Sequence, residues 1–111
     1  QWVDLTLTWL VATSPQEDYI AFVHIWRPTD ASPVAQNDSR PRDGWFPTTA
    51  WIRGDVVPDR HRLQIPDDIK PGSYPVWAGL YRSSDATRLH ATGPEGPFAD
   101  NLVPLGYIEV K

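Results

Sequence analysis

Tryptophan, arginine and carboxylate side chains gather in one short stretch of this sequence. Trp45 and Phe46 stand together, Trp51, Arg53 and Asp55 follow, and Gln36 and Asp38 come just before. Those residue types suit one kind of chemistry. A sugar presents apolar C–H faces and many hydroxyls, so a site for it combines flat aromatic platforms with carboxylates, amides or arginine. Trp45, Trp51, Arg53, Asp55, Gln36 and Asp38 are therefore a candidate ligand-binding set. A packing role competes with it, in which Trp45 and Trp51 fold the loop back on the domain edge and fill a satellite core. Trp51 suits packing better, whereas Trp45, beside Gly44 at a loop tip, suits either. Trp9, Trp26 and Trp77 fall in strand patterns and read as core.

Other chemistry has less behind it. His24, His61 and His90, with Asp38 or Asp59, carry atoms that bind zinc, but no pair has the close spacing of a ligand motif. His24, in an apolar strand, reads as a hydrogen-bonded core residue. No metal and no cofactor is expected. The serines lie in turns, none in a nucleophile-elbow context. Paired carboxylates for glycoside hydrolysis form in space rather than in sequence, yet a chain this short implies no deep cleft, so a non-catalytic domain is expected.

The 111 residues fit one domain. There are no cysteines, hence no disulfide, thiolate site or thiol nucleophile. The net charge of −4 argues against nucleic acid, which needs a clustered basic footprint. Arg40 with Arg42 and Arg60 with Arg62 are the nearest candidates, each flanked by Asp. No apolar run approaches the ~20 residues of a membrane helix, so no direct membrane insertion is expected. The chain lacks an initiator Met and opens inside a strand-like pattern, as expected for a domain excised from a longer parent.

The elements that must position these side chains are strands. Val3, Leu5, Leu7, Trp9 and Val11 alternate with Asp4, Thr6, Thr8 and Leu10, a strand with one buried face. Tyr19–Trp26 is apolar at almost every position and reads as a central strand covered on both faces. Pro33–Asp38 is a short strand, and Ser39–Thr49 is a long irregular stretch, functional or self-packed. In Val56–Ile65, His61, Leu63 and Ile65 share a face opposite Arg60, Arg62 and Gln64. The acids and arginines of Asp55–Arg62 read as an ion-paired exposed face or a docking edge, and Pro58 suits an edge strand. After the Pro71-Gly72 turn, Tyr74, Val76, Ala78 and Leu80 point to the core. Ser73, Pro75, Trp77, Gly79 and Tyr81 lie on a half-covered face. Arg88–Ala91 reads as a short strand, Thr92–Pro97 as a loop and Leu102–Val110 as the last strand. Seven short strands without a helical segment predict an all-β fold, an antiparallel immunoglobulin-like β-sandwich, with a jelly roll or small barrel as the alternative.

Several fragments, in order, resemble a known family: Leu5-Thr6-Leu7-Thr8-Trp9, Tyr19-Ile20-Ala21-Phe22-Val23-His24-Ile25, Val34-Ala35-Gln36-Asn37-Asp38, Pro47-Thr48-Thr49-Ala50-Trp51-Ile52-Arg53-Gly54-Asp55, and Pro71-Gly72-Ser73-Tyr74 with Gly79-Leu80-Tyr81. Together they resemble the soluble C-terminal β-sandwich of bacterial membrane glycosyltransferases of the protein-mannosyltransferase type and related membrane proteins. The resemblance implies an extracytoplasmic accessory domain tethered to a parent membrane domain, with a glycan or lipid-linked sugar as possible partner. It assigns no catalytic residue here. The alternative is a structural or protein-interaction domain without a ligand.

Overall fold

A computed structural model describes all 111 residues. Eight strands form: β1 (Trp2–Leu10), β2 (Tyr19–Ile25), β3 (Ala35–Ser39), β4 (Val56–Gln64), β5 (Gly72–Arg82), β6 (Thr92–Gly93), β7 (Gly96–Pro97) and β8 (Val103–Val110). All pairings are antiparallel. β1 pairs with β4 alone, a second sheet runs β3-β2-β5-β8, and β6 and β7 make a minimal hairpin. The fold is therefore all-β.

Alternation decides which side chains meet. Val23 and Ile25 of β2, Ala35 of β3, and Tyr74 and Val76 of β5 turn inward from the four-stranded sheet. They form one apolar cluster with Leu63 and Ile65, against which Val3, Leu5 and Leu7 of β1 also pack. Each such large apolar side chain, once buried, contributes about 1.5–3 kcal/mol. Tyr74 is fully buried, yet its hydroxyl donates to the Lys70 carbonyl at 2.6 Å, so no polar atom is stranded. The Arg27 guanidinium sits 4.3 Å from the centre of the same ring and is itself held by Asp30.

β2 is apolar on both faces because both are covered. Ala21, Val23 and Ile25 meet the interior, while Phe22, 1% exposed, lies under the segment that follows β5. That segment differs from the sequence expectation. Arg88–Ala91 makes a single bridge, Tyr81 to Arg88, instead of a strand, and the expected loop Thr92–Pro97 closes as the β6–β7 hairpin. The Pro94-Glu95 turn joins the two strands, and Gly96, directly after it, adopts φ +115°, a backbone conformation that suits glycine.

The face assigned to ion pairs on β4 is only half so. Arg60 and Arg62 both reach Asp4 across the β1–β4 pair, at 3.3 and 3.7 Å, in the open. Asp59 and His61, on the other face of the same strand, are fully buried between the sheets. His61 Nε2 contacts Asp59 Oδ2 at 2.8 Å, and its Nδ1 contacts Asn37 Oδ1 at 2.7 Å. The Arg42 N–H and the Trp9 indole N–H donate to the same carboxylate, at 2.8 and 3.2 Å. Asn37 sits on β3, so this polar network joins the two sheets through their side chains.

Candidate functional site

The six residues expected to bind a ligand fall in separate places. Trp51 is 4% exposed, so its ring offers no face to a ligand. It packs with Val11 and Val57, lies 6.1 Å from the Trp9 ring, and donates its indole N–H to the Phe46 carbonyl at 2.9 Å. Thr48, also buried, accepts the Tyr19 N–H and donates to the Glu17 carbonyl. The long loop is thus self-packed around Trp51 and Thr48. Trp45 is the exception, with 89% of its surface exposed. It follows three residues of positive φ (Arg42 56°, Asp43 55°, Gly44 87°), a run that turns the chain outward. Trp45 borders a hollow of about 380 Å³ with Thr6, Pro58 and Arg60, over the outer face of β1 and β4. Arg53 is exposed, and Asp55 accepts the Ile52 N–H at 3.0 Å, a turn-forming role.

Gln36 and Asp38 lie elsewhere, on the outer face of the four-stranded sheet. Register brings them to partners far away in sequence: Gln36 opposite His24, Asp38 opposite Phe22, and across β2 Trp77 opposite His24 and Gly79 opposite Phe22. His24 Nε2 contacts Asp38 Oδ1 at 2.9 Å, and the Tyr81 hydroxyl donates to Asp38 Oδ2 at 3.0 Å. The Phe22 ring stacks against Tyr81 at 5.9 Å and tilts against His24 at 4.9 Å. Arg88 closes over Phe22 at 5.3 Å and donates to the Asp100 carbonyl at 3.0 Å.

Beside this network a groove of about 370 Å³ opens, walled by Trp26, Trp77, His24, Gln36, Arg88 and Leu102. Its two indoles are fixed. Trp77 donates to the Trp26 carbonyl at 2.9 Å and Trp26 to the Asp30 carbonyl at 3.2 Å. Their ring faces remain half-exposed. Trp26 and Trp77 therefore line a surface groove instead of filling the core, and His24, read as a core residue, lies on the groove wall. Gln36 is exposed and its amide makes no hydrogen bond within the chain, and neither does His24 Nδ1.

Burial pushes the Asp38 carboxyl up, but hydrogen bonds from His24 and Tyr81 and the charge of His24 outweigh this and hold it below the usual carboxylate range. The Tyr81 phenol is pushed up to about 12 by burial and by its bond to Asp38. Both groups therefore keep fixed roles near neutral pH, Asp38 as acceptor and Tyr81 as donor. A histidine oriented by a carboxylate is half of a nucleophile-activating arrangement. The other half is missing, because no hydroxyl is hydrogen-bonded to His24. Nor do three or more His, Asp or Glu side chains converge as a metal set would: His61 is interior and His90 lies in the exposed segment after β5.

The wall depends on a missing side chain. A Cβ on Gly79 would stand 2.5 Å from Phe22 Cζ and 3.2 Å from the Asn101 carbonyl oxygen. Phe22 has no free space to retreat into, so Gly79→Ala should cost about 1–3 kcal/mol. It should also move Tyr81 and Arg88, which rest on that ring. Urea unfolding reads the first effect, and side-chain NMR shifts of Tyr81 and Trp77 read the second. An unchanged midpoint would contradict the close contact.

What signal could have pointed to this groove? The half-covered face of β5 does, since Trp77 and Tyr81 alternate with core residues. Their meeting with His24 and Asp38 depends on strand register and is not spelled by spacing. Comparison with protein-family models, curated proteins and solved structures finds no match to this chain.

Proposed function

We propose that this chain is an immunoglobulin-like β-sandwich that serves as a non-catalytic, extracytoplasmic accessory domain and binds a glycan or sugar acceptor in the groove beside Trp26 and Trp77. The observation that carries the reading is the groove's makeup: two indoles with their N–H groups already bonded, so that only apolar ring faces are on offer, ringed by hydrogen-bonding groups of Gln36, Arg88 and His24. A sugar's C–H face and hydroxyls match that pattern, and the volume suits one or two rings, near the lower end of small-ligand sites at ~300–1,000 Å³. Strand order supports the sandwich class. A two-stranded sheet faces a four-stranded one in the pairing typical of that class, and the Tyr74 hydroxyl bonds back to the Lys70 carbonyl as in a tyrosine corner. The tether to a membrane glycosyltransferase-like parent rests on the sequence resemblance.

Titration of a glycan panel into the chain, followed by calorimetry and indole fluorescence, tests the site. Saturable binding is expected, with Trp77→Ala weakening it at least about 100-fold, the loss of one stacking platform and its wall. Gln36→Ala should weaken it less, and Trp45→Ala should leave it unchanged. Loss with Trp45→Ala alone would move the site to the β3–β4 loop. No binding by the wild-type chain would leave the structural domain as the better reading.

A further inference from the structure

The groove beside Trp26 and Trp77 does not suit every sugar equally. Register sets Gln36, His24 and Trp77 in one row across β3, β2 and β5, on the outer face of the sheet. Neighbouring strands lie about 4.8 Å apart, so the row spans about 10 Å. That is room for one pyranose ring with a short arm. Which arm fits depends on the hydrogen-bonding character of the atoms left free along the row.

His24 is fixed by the group behind it. The Asp38 carboxylate is ionised near neutral pH and can only accept, so His24 Nε2 must carry the proton in their 2.9 Å contact. In the neutral ring Nδ1 then holds only a lone pair. Nδ1 has no partner in the chain and is not closed off from solvent. Arg88 is the converse. Its guanidinium is held 5.3 Å over the Phe22 ring and by the Asp100 carbonyl, and its other N–H groups have no partner in the chain. The groove wall therefore carries a fixed acceptor and a fixed donor. Asp100 borders the groove as well as Arg88, so their charges offset and neither sign of ligand charge is favoured.

We infer that the groove selects an uncharged acetamido sugar, an N-acetylhexosamine, whose amide N–H donates to His24 Nδ1 while its ring stacks on Trp77. The inference rests on the groove being a sugar site. The amide carbonyl has the free donors of Arg88 and Gln36 within the same groove, and the methyl group has the apolar surface of Trp26 and Leu102. A hydroxyl both donates and accepts, so a plain hexose has no need of a fixed acceptor. An amide N–H can only donate. The difference becomes measurable when His24 takes up a proton, because Nδ1 then turns from acceptor to donor. A hydroxyl can rotate and accept from it, and an amide N–H cannot. The preference for the acetamido sugar should therefore fade as pH drops from about 8 to 5, the span over which histidine changes charge. Around His24 stand Asp38 and, bonded to it, Tyr81, both fixed in charge over that span, with Arg88 and Asp100 on the groove wall.

Calorimetric titration with N-acetylglucosamine, N-acetylgalactosamine and their parent hexoses, glucose and galactose, tests this. At about pH 8 one acetamido sugar should bind about tenfold tighter than its parent hexose, the worth of one directional hydrogen bond. By about pH 5 the two should be level. His24→Gln keeps an amide donor for Asp38 but has no acceptor at the Nδ1 position, so this variant should bind the two sugars alike at every pH. His61 stays in place in it, so loss of the pH effect assigns that effect to His24. Should the variant fail to fold, the wild-type pH series decides alone. Equal affinity for acetamido sugars and hexoses in the wild type would overturn the inference and leave the sugar groove standing. So would a preference that persists at pH 5 or in His24→Gln. Absence of binding by all four sugars would overturn the inference and count against the sugar groove as well.

Discussion

Replacing His61 with alanine should destabilise the chain by about 3–5 kcal/mol, the cost of taking a main hydrogen-bond partner from the buried Asp59 carboxylate. Against a total of ~5–15 kcal/mol for an ordinary domain, that is a third or more of what holds it folded. Asp59 and His61 are both inaccessible to water, and the carboxylate would keep only the Arg42 and Trp9 N–H groups. The substitution also deletes the contact of the His61 ring with Asn37 on the other sheet. The double substitution Asp59→Leu with His61→Leu should be milder than His61→Ala, because no charge is then left buried. Urea unfolding of the three chains measures this, and a double variant less stable than the single one would count against it.

The same pair sets an acid limit. Burial raises the Asp59 carboxyl, but the His61 hydrogen bond, the Arg42 and Trp9 N–H donors and the His61 charge prevail, and it lies below the usual range. A carboxyl lowered in the folded state adds stability above its unfolded value, about 3.9. That stability is lost as pH falls through the folded value. Asp38 shifts in the same direction. Stability should hold down to about pH 4 and fall steeply below it, and His61→Ala should flatten that slope.

Trp51→Ala should cost a comparable ~3–5 kcal/mol, while Trp45→Ala should stay within about 0.5 kcal/mol. The two indoles are six residues apart and their burial is opposite, 4% against 89%. Trp51 fills the space between Trp9, Val11, Val57 and Phe46, and its N–H pins the Phe46 carbonyl. Without it the loop from Ser39 to Asp55 loses its packing, and Trp45 loses a fixed position. Thermal unfolding with fluorescence detection separates the cases: Trp51→Ala lowers the midpoint and weakens the blue-shifted emission, whereas Trp45→Ala leaves the midpoint in place and weakens the red-shifted emission, to which Trp2 also contributes. Equal effects from the two substitutions would contradict the packing described for Trp51.

Period-two patterns made the strands legible. Val3, Leu5 and Leu7 face the interior as their alternation with Asp4 and Thr6 requires, and so do Tyr74, Val76 and Ala78. Asp59 was legible too: the face shared by His61, Leu63 and Ile65, carried two residues back, leads to it. What outweighed that signal was the run of charged neighbours, which suggested solvent. Arg88–Ala91 failed as a strand because a pattern of four residues cannot say whether a neighbour offers a free edge. The site was the least legible part. Gln36 and Asp38 are near Trp45 and Trp51 in sequence, yet β3 carries them to a different face. Their partners His24 and Tyr81 arrive through register, fixed by turn geometry and by the whole pattern of burial. Trp77 was legible as facing a half-covered side, but not as a groove wall.

Strand order also sets the pace of folding. β1 pairs with β4 from Trp2 opposite Gln64 to Leu10 opposite Val56, and β2 pairs with β5 from Tyr19 opposite Arg82 to Ile25 opposite Val76. Chain-closure entropy must be overcome before either pairing gains its contacts. Of the pairings that touch the main sheets, only β2 with β3 is local. Refolding should therefore occupy the milliseconds-to-seconds range of β-rich domains, not the microseconds of helical ones. The local β2–β3 hairpin should form first and β1 should dock late, which high φ-values in β2 and β3 and low ones in β1 would show.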